Sequence, residues 1–358
     1  ILIQGASIFG IFGLSFVVVY IASSPYNFLL AKANTEKKDF YTRIITCVIV
    51  LIFIAIYGYL RLEANPTEYT NISARLVQPS IPQTAKWEAE EFWQNLDTHV
   101  ELSKKEGDPN VIIWSEAALT VPYHIKPVMQ VILSVFSNDE QILLTGGVSD
   151  NNKPSGELEL YSSLIGINSY AAKIFEYHKA HLVPFGEYIP FKNILPLKKI
   201  THGLMDYTEG TRKSVIIQKF DLAIWPLICY EAIFPHEVRV SNQIVDVLVN
   251  VTNDTWFGNS SGPYQHLEIS RMRAIENGLP MLRVANNGIS AFIDPVGRIL
   301  SKTELNQVTV LDNYVPKKLP SETFFSKYEP SLMLLEVLCV LILQLFVKFC
   351  IYFFTKNH

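Results

Sequence analysis

Cysteine is scarce in this chain, and it is unevenly placed. The 358 residues include four cysteines, of which Cys47, Cys339 and Cys350 lie in strongly apolar terminal stretches. Only Cys229 stands in the polar middle. A disulfide framework there has no second thiol to use, so Cys229 is either a small buried core residue or a nucleophile. An excess of positive charge is lacking too. Thirty Lys and Arg stand against 34 Asp and Glu, a net charge of −4, so no nucleic-acid partner is expected. There is no Gly-rich phosphate loop, and the pair Gly146–Gly147 reads as a bend at a strand end. The eight histidines are dispersed, and the short HKAH string from His178 to His181 has no thiolate neighbours. No metal and no soluble cofactor are expected.

Long apolar runs, in contrast, are plentiful. Hydrophobic residues make up 49% of the chain, and the excess gathers at the two ends. Ile1 to Ala22 carries no charge, and Ile44 to Leu60 and Ser331 to Phe354 are further candidates, the last carrying Glu336 and Lys348. Runs of this length can cross a hydrocarbon core of about 30 Å. Lys32, Lys37, Lys38 and Arg43 lie between the first two runs, and Lys356 follows the third. The positive-inside rule places both groups on the cytoplasmic side, so the middle is expected to face outward, which in a diderm bacterium is the periplasm. The expected division is residues 1–62 as two transmembrane helices, 63–325 as the domain between the anchors and 326–358 as a C-terminal transmembrane helix. The chain opens on Ile1 and is read as part of a longer chain, with the membrane bundle incomplete.

In the middle, short β-branched or aliphatic runs alternate with helix-like stretches. ISARLVQ (72–78), VIIW (111–114), QILLTGGV, YSSLIGIN, SVIIQ, LAIWPLI and DVLVNV read as strands. Ala85 to Lys105 reads as one amphipathic helix, with others near Pro127–Phe136, His236–Asn242 and Gln265–Asn277. Alternation of this kind predicts a layered α/β domain. The longest irregular stretch runs from Leu182 to Lys213, and loops that long are commonly functional.

Active sites of α/β sheets gather at the carboxyl ends of strands. Glu116 follows VIIW, Cys229 follows LAIWPLI with Glu231 two residues on, and Lys179 follows a strand-like stretch with Glu187 beyond it. A thiol needs a base or a nearby cation to act at neutral pH. Glu116 can take its proton, and Lys179 can stabilise thiolate and oxyanion. Glu187 and Glu231 can position the lysine or assist proton transfer, and backbone N–H groups after Cys229 can add anion stabilisation. Taken singly, each residue also has an ordinary reading as core thiol, helix cap or surface charge.

Glu, Lys and Cys in this order, within WSEAAL, HKAHLVPFGEYIP and ICYEAIFP, resemble the nitrilase superfamily of carbon–nitrogen hydrolases. LVQPSIPQTAKW, KAHLVPFGEYIP, NDTWFGNSSGPYQH and RMRAIENGLPMLRVANNGISA are similar, more narrowly, to the apolipoprotein N-acyltransferase family. The resemblance implies a four-layer α-β-β-α sandwich flanked by transmembrane helices. It implies Glu116 as general base, Lys179 as oxyanion-stabilising cation and Cys229 as nucleophile, with Glu187 and Glu231 as further essential carboxylates. Trp87, Tyr230, Trp256 and Phe257 match aromatic positions linked to lipid access or to loops over the site. The implied reaction is ping-pong. Cys229 takes an acyl chain from a phospholipid as a thioester, and the N-terminal amine of a diacylglyceryl-cysteine apolipoprotein receives it at the bilayer surface of the bacterial inner membrane. Ser115 departs from the Pro that often precedes this glutamate in the family. The competing readings are a membrane-tethered amidase with water as acceptor, and an inactive truncated remnant.

Overall fold

The computed structural model describes residues 1–30, 34–152, 158–190, 206–238, 243–328 and 332–356. The chain folds as two compact units, one of residues 1–66, 275–278 and 319–358, the other of residues 67–274 and 279–318.

The first unit is helical. Its long helices are α1 (Ala6–Leu30), α2 (Asn34–Ala64) and a C-terminal helix, Leu332–Lys356. Leu2–Tyr26 and Phe40–Ala64, 25 residues each, are long and apolar enough to cross a membrane, and a shorter apolar stretch covers Leu338–Phe353. At 1.5 Å per residue such helices exceed a hydrocarbon core of about 30 Å. Both extend past the expected runs, because polar flanks continue a helix once it is nucleated. Lys32 and Ser331 lie outside the described residues, as do the side chains of Lys37, Lys38 and Lys356. Val18, Val19, Phe53 and Phe349 leave large apolar side chains more than half exposed, a surface that calls for an apolar surrounding. Gly10 breaks α1 with φ +67°, and the ring of Phe325 occupies the space where a Cβ would sit. The N–H of Ile11, next to that break, donates to Glu276 Oε1 at 2.8 Å.

The second unit carries two six-stranded sheets among the described residues. The first contains β1 (Tyr69–Gln78), β2 (Val111–Trp114), β3 (Ile142–Asn152), β4 (Leu158–Asn168) and β5 (Lys173–His178). The second contains β6 (Val215–Ile217), β7 (Leu222–Ile228), β8 (Val247–Thr252), β9 (Met281–Ala285), β10 (Ala291–Ile293) and β11 (Ile299–Lys302). Strand β12 (Thr309–Pro316) returns to pair with β1. The sheet orders are β12-β1-β2-β3-β4-β5 and β11-β10-β9-β8-β7-β6. Strands β1, β2 and β3 are parallel, as are β7, β8 and β9.

One apolar core joins the inner faces of the sheets, with Leu76, Ile113 and Leu144 from one and Ile224, Val249 and Leu282 from the other. Outside the first sheet pack α4 (Phe92–Ser103) and α5 (Lys126–Leu133), through Leu96, Val100 and Ile132. Outside the second packs α6 (Gly262–Asn277), through Leu267 and Ala274. The layering is helix, sheet, sheet, helix, as expected. The central parallel strands read as continuous apolar runs because both of their faces are covered.

Two local expectations are corrected. The helix expected over 85–105 is two pieces, α3 (Gln83–Lys86) and α4, separated by a turn at Trp87–Glu91. Gly146 and Gly147 lie inside β3, paired with Leu164 and Ser163, rather than at a strand end. The reason is steric: a Cβ on Gly146 would stand 2.4 Å from the Ser115 carbonyl oxygen and 2.7 Å from the Glu116 Cα. The glycine lets the backbone of Glu116 lie directly on the strand. In the region expected to be helical over 236–242, Pro235–Glu237 forms a 3-10 turn, and residues 239–242 lie outside the described set, as do 191–205 of the long loop.

Candidate active site

Strands β2 and β5 run in the same direction in the first sheet, and β7 and β8 do so in the second. Their carboxyl ends deliver Glu116, Lys179, Cys229 and Asn253 to one cavity of about 360 Å³. That volume falls in the range of small-molecule sites, roughly 300–1,000 Å³. Trp87, Glu187, Tyr230, Trp256 and Phe257 also line it. Eight of the nine residues singled out in the sequence therefore meet at one place.

Cys229 sits at the turn between β7 and a 3-10 helix, Cys229–Ile233, with φ +50°. That is a left-handed conformation rare for any residue but glycine. The strained turn holds the thiol at the strand end, against the Glu116 carboxylate and the Thr252 hydroxyl. Burial, then the negative charge of Glu116, pushes the Cys229 thiol up to about 12, against the opposing pull of Lys179.

Glu116 is a largely enclosed acid, 12% exposed at its side chain, with divided compensation. Its Oε1 stands 3.5 Å from Lys179 Nζ, and its Oε2 accepts the Asn253 N–H at 2.9 Å. Lys179 lies closer to Glu187, at 2.8 Å. Burial raises the proton affinity of Glu116, Lys179 opposes that, and Glu187 adds to it. Lys179 is 1% exposed. Burial alone would lower its proton affinity, but Glu187 and then Glu116 more than reverse this, so it is a permanent ammonium. Glu187 is itself held by the Val183 N–H at 2.8 Å.

Glu231, the ninth residue, does not line the cavity. It is 2% exposed and works as a backbone clamp. Its Oε1 accepts from Tyr177 Oη at 2.9 Å, Ala180 N at 2.7 Å and His181 N at 3.2 Å, and its Oε2 accepts from Ile228 N at 2.7 Å. It thus ties the chain just after Lys179 to the chain just before Cys229. Its own proton affinity is raised by burial, which these donors partly offset.

Sequence reasoning missed several neighbours. Asn253 holds Glu116 through its N–H, and its side chain bonds Gln83 Oε1 at 2.8 Å and Asn286 Nδ2 at 3.0 Å. Tyr207 lines the cavity from the irregular stretch, its phenol pushed up to about 12 by burial and by Glu187. Lys86 donates to the Glu116 carbonyl oxygen at 2.8 Å. The available signals were weak: an Asn after a buried strand, and a Lys beside the singled-out Trp87. Trp256 and Phe257 are 52% and 42% exposed, on a 3-10 turn spanning Asp254–Phe257. Among the described residues no cluster of three or more metal-ligating side chains occurs.

A thiol, a carboxylate and a buried ammonium thus meet between two facing sheets, the arrangement that the resemblance to carbon–nitrogen hydrolases implied. The sequence profile of the carbon-nitrogen hydrolase family matches residues 73–316. Proteins from Rickettsia prowazekii and Rickettsia bellii are each 52% identical over 344 residues, which is 96% of this chain and 68% of theirs. A protein from Rhodopseudomonas palustris is 34% identical over 364 residues, 96% of this chain and 66% of its own length. All three are named apolipoprotein N-acyltransferase. The chain belongs to the apolipoprotein N-acyltransferase family.

Proposed function

We propose that this chain moves a fatty acyl group from a phospholipid to the N-terminal amine of a diacylated apolipoprotein, through a thioester on Cys229. The observation that supports this best is the cavity itself. A thiol, its base and a fixed ammonium open into one space with largely apolar walls, which suits an acyl chain better than a polar amide.

In the first half-reaction the Cys229 proton passes to Glu116 as sulfur attacks the ester carbonyl. Lys179 faces the oxygen that gains charge. The tetrahedral adduct collapses, Glu116 returns the proton to the departing lysophospholipid oxygen, and a thioester remains. In the second half the α-amine attacks that thioester. Glu116 takes a proton from nitrogen, the C–S bond breaks, and the proton passes to sulfur. The sum is ester plus amine giving amide plus alcohol. Glu187 positions Lys179, and Glu231 positions the backbone on either side of it and of Cys229. Trp87, Tyr230, Trp256 and Phe257 form the apolar lining that receives lipid and keeps water from the thioester.

The membrane reading belongs to the same proposal. Residues 1–62 and 326–358 are multi-pass anchors in the inner membrane, and 63–325 form the periplasmic catalytic domain. The apolar helices support anchoring, and the Lys and Arg flanks support the direction. Both substrates then reach the site by diffusion in the bilayer.

The test is to incubate membranes carrying the protein with a phospholipid bearing a tagged acyl chain. A hydroxylamine-sensitive label that is absent in Cys229→Ser and moves to the amine of an added diacylated lipopeptide is the expected result. Label that is lost only to water would replace the acyltransferase reading with a tethered hydrolase. No label on folded protein would rule out the thioester.

A further inference from the structure

The site contains two lysines, and only Lys179 has a role in the reaction as described. The second, Lys86, ends α3 and is 3% exposed. A buried lysine needs a reason, because removing an ammonium from water is costly. Its Nζ donates to the carbonyl oxygen of Glu116 at 2.8 Å. It does not line the cavity, so it acts on substrate only through the groups it faces, Glu116 first and then Cys229. α3 is braced from two sides. Asn95 Nδ2 of α4 donates to the Ala85 carbonyl at 2.9 Å. Gln83 Oε1 accepts from Asn253 Nδ2 at 2.8 Å, and the Asn253 N–H holds Glu116 Oε2. One turn of helix therefore grips Glu116 at its backbone directly and at its carboxylate through Asn253.

Charge arithmetic gives this grip a consequence. Glu116 and Glu187 bring two negative charges to the cavity, and Lys179 returns one. The groups facing Glu116 are Lys179, Glu187, Lys86 and the Cys229 thiol, with the Tyr207 phenol alongside. Those facing Lys86 are Glu116, Cys229 and His99 of α4. Burial holds His99 neutral, lowering it to about 4. Lys86 is thus a second positive charge facing Glu116, beside Lys179.

We infer that Lys86 is a positioning residue for the base: its ammonium fixes the Glu116 backbone and supplies the second positive charge that keeps Glu116 ionised at neutral pH. This rests on Glu116 being the base. Burial lowers Lys86 to about 8, with Glu116 and Cys229 opposing, so it is still charged where Glu116 must accept a proton.

The test compares Lys86→Met and Lys86→Arg with the unaltered full chain in membranes. It reads the pH dependence of acyl-enzyme formation and, separately, the infrared carboxyl band that Glu116→Gln removes. In Lys86→Met the acidic limb is expected to move up by about one pH unit. That is about tenfold slower acylation below the limb, recovering as pH rises, and the protonated-carboxyl band should persist to correspondingly higher pH. Lys86→Arg is expected to restore both positions. A rate loss equal at every pH, with an unmoved carboxyl band, would overturn the inference and leave Lys86 a packing residue. Lys86→Gln, which keeps a donor but no charge, serves if Lys86→Met does not fold, and it should shift limb and band in the same direction. The infrared band needs no turnover. If unaltered protein forms no thioester while the band still shifts in Lys86→Met, the acyl-transfer reading fails and the role of Lys86 stands.

Discussion

Glu116, 12% exposed at its side chain, and Asp254, fully buried, are both carboxylates just beyond parallel strands of the two facing sheets, and their surroundings push them in opposite directions. At Asp254, burial alone would raise the proton affinity. Arg283 at 2.7 Å and His266 at 2.8 Å outweigh it and lower the carboxyl to about 2. Arg283 also bonds Ser270 and Asn250, and the Thr252 hydroxyl donates to Asp254 Oδ1 at 3.1 Å, so this carboxylate is fully compensated. At Glu116 the nearest ammonium stands 3.5 Å away and is shared with Glu187, which holds it at 2.8 Å, and burial prevails. Full compensation makes a carboxylate that holds structure. Partial compensation makes one that can take a proton, and it costs stability at neutral pH.

The sharpest way to separate the two is to neutralise each. Glu116→Gln is expected to lower acyl transfer by about 10²- to 10⁴-fold while leaving the thermal midpoint unchanged or higher. A raised folded-state proton affinity means that the ionised Glu116 destabilises the fold once pH rises past its unfolded value. A clear fall in midpoint would make Glu116 a structural carboxylate like Asp254. On the other side, Arg283→Met leaves Asp254 buried without its guanidinium partner, and is expected to destabilise the second unit by about 3–5 kcal/mol in denaturant unfolding. A loss below about 1 kcal/mol would show that the Asp254–Arg283 pair is not what holds these strands.

A smaller effect tests the same contrast by pH. Asp254 is depressed in the fold, from 3.8 to about 2. Its contribution is therefore present above the unfolded value and lost as pH falls through that window, about 2 kcal/mol in all. Asp254→Asn should show no loss of this kind in acid unfolding. The smallest effect belongs to Trp256, which is 52% exposed on the cavity rim. Trp256→Ala should raise KM for the phospholipid a few-fold and change stability by less than about 0.5 kcal/mol. A large loss of stability would mean that the indole is a core anchor and not a lipid contact.

What was legible in the sequence follows from what each signal depends on. Strands such as Val111–Trp114 and Leu222–Ile228 were visible because both faces are covered and the run is apolar throughout. Glu116, Lys179 and Cys229 were visible as reactive types at strand ends, and the strings around them pointed to one family. Their mutual distances are tertiary and had no local signature. The break at Trp87 was missed because an amphipathic pattern can continue across a turn. Lys86, one residue earlier, was passed over because a lysine in such a pattern normally faces water. Gly146 was misread because the need for glycine there comes from Glu116, 30 residues earlier in sequence. Glu231 was recognised as important, but its work as a clamp on four donors depends on a fold that brings β5 and β7 together.

The protonation state of Cys229 at rest tests most directly whether an under-compensated Glu116 is the base. The measurement is the ultraviolet thiolate absorbance of the intact protein, taken as the difference from Cys229→Ser across pH. Burial and the charge of Glu116 lead us to expect no thiolate at neutral pH, with absorbance rising only towards about 12. A thiolate already formed near neutral pH would contradict this, and would make Lys179, as the partner of a preformed ion pair, the group that activates sulfur.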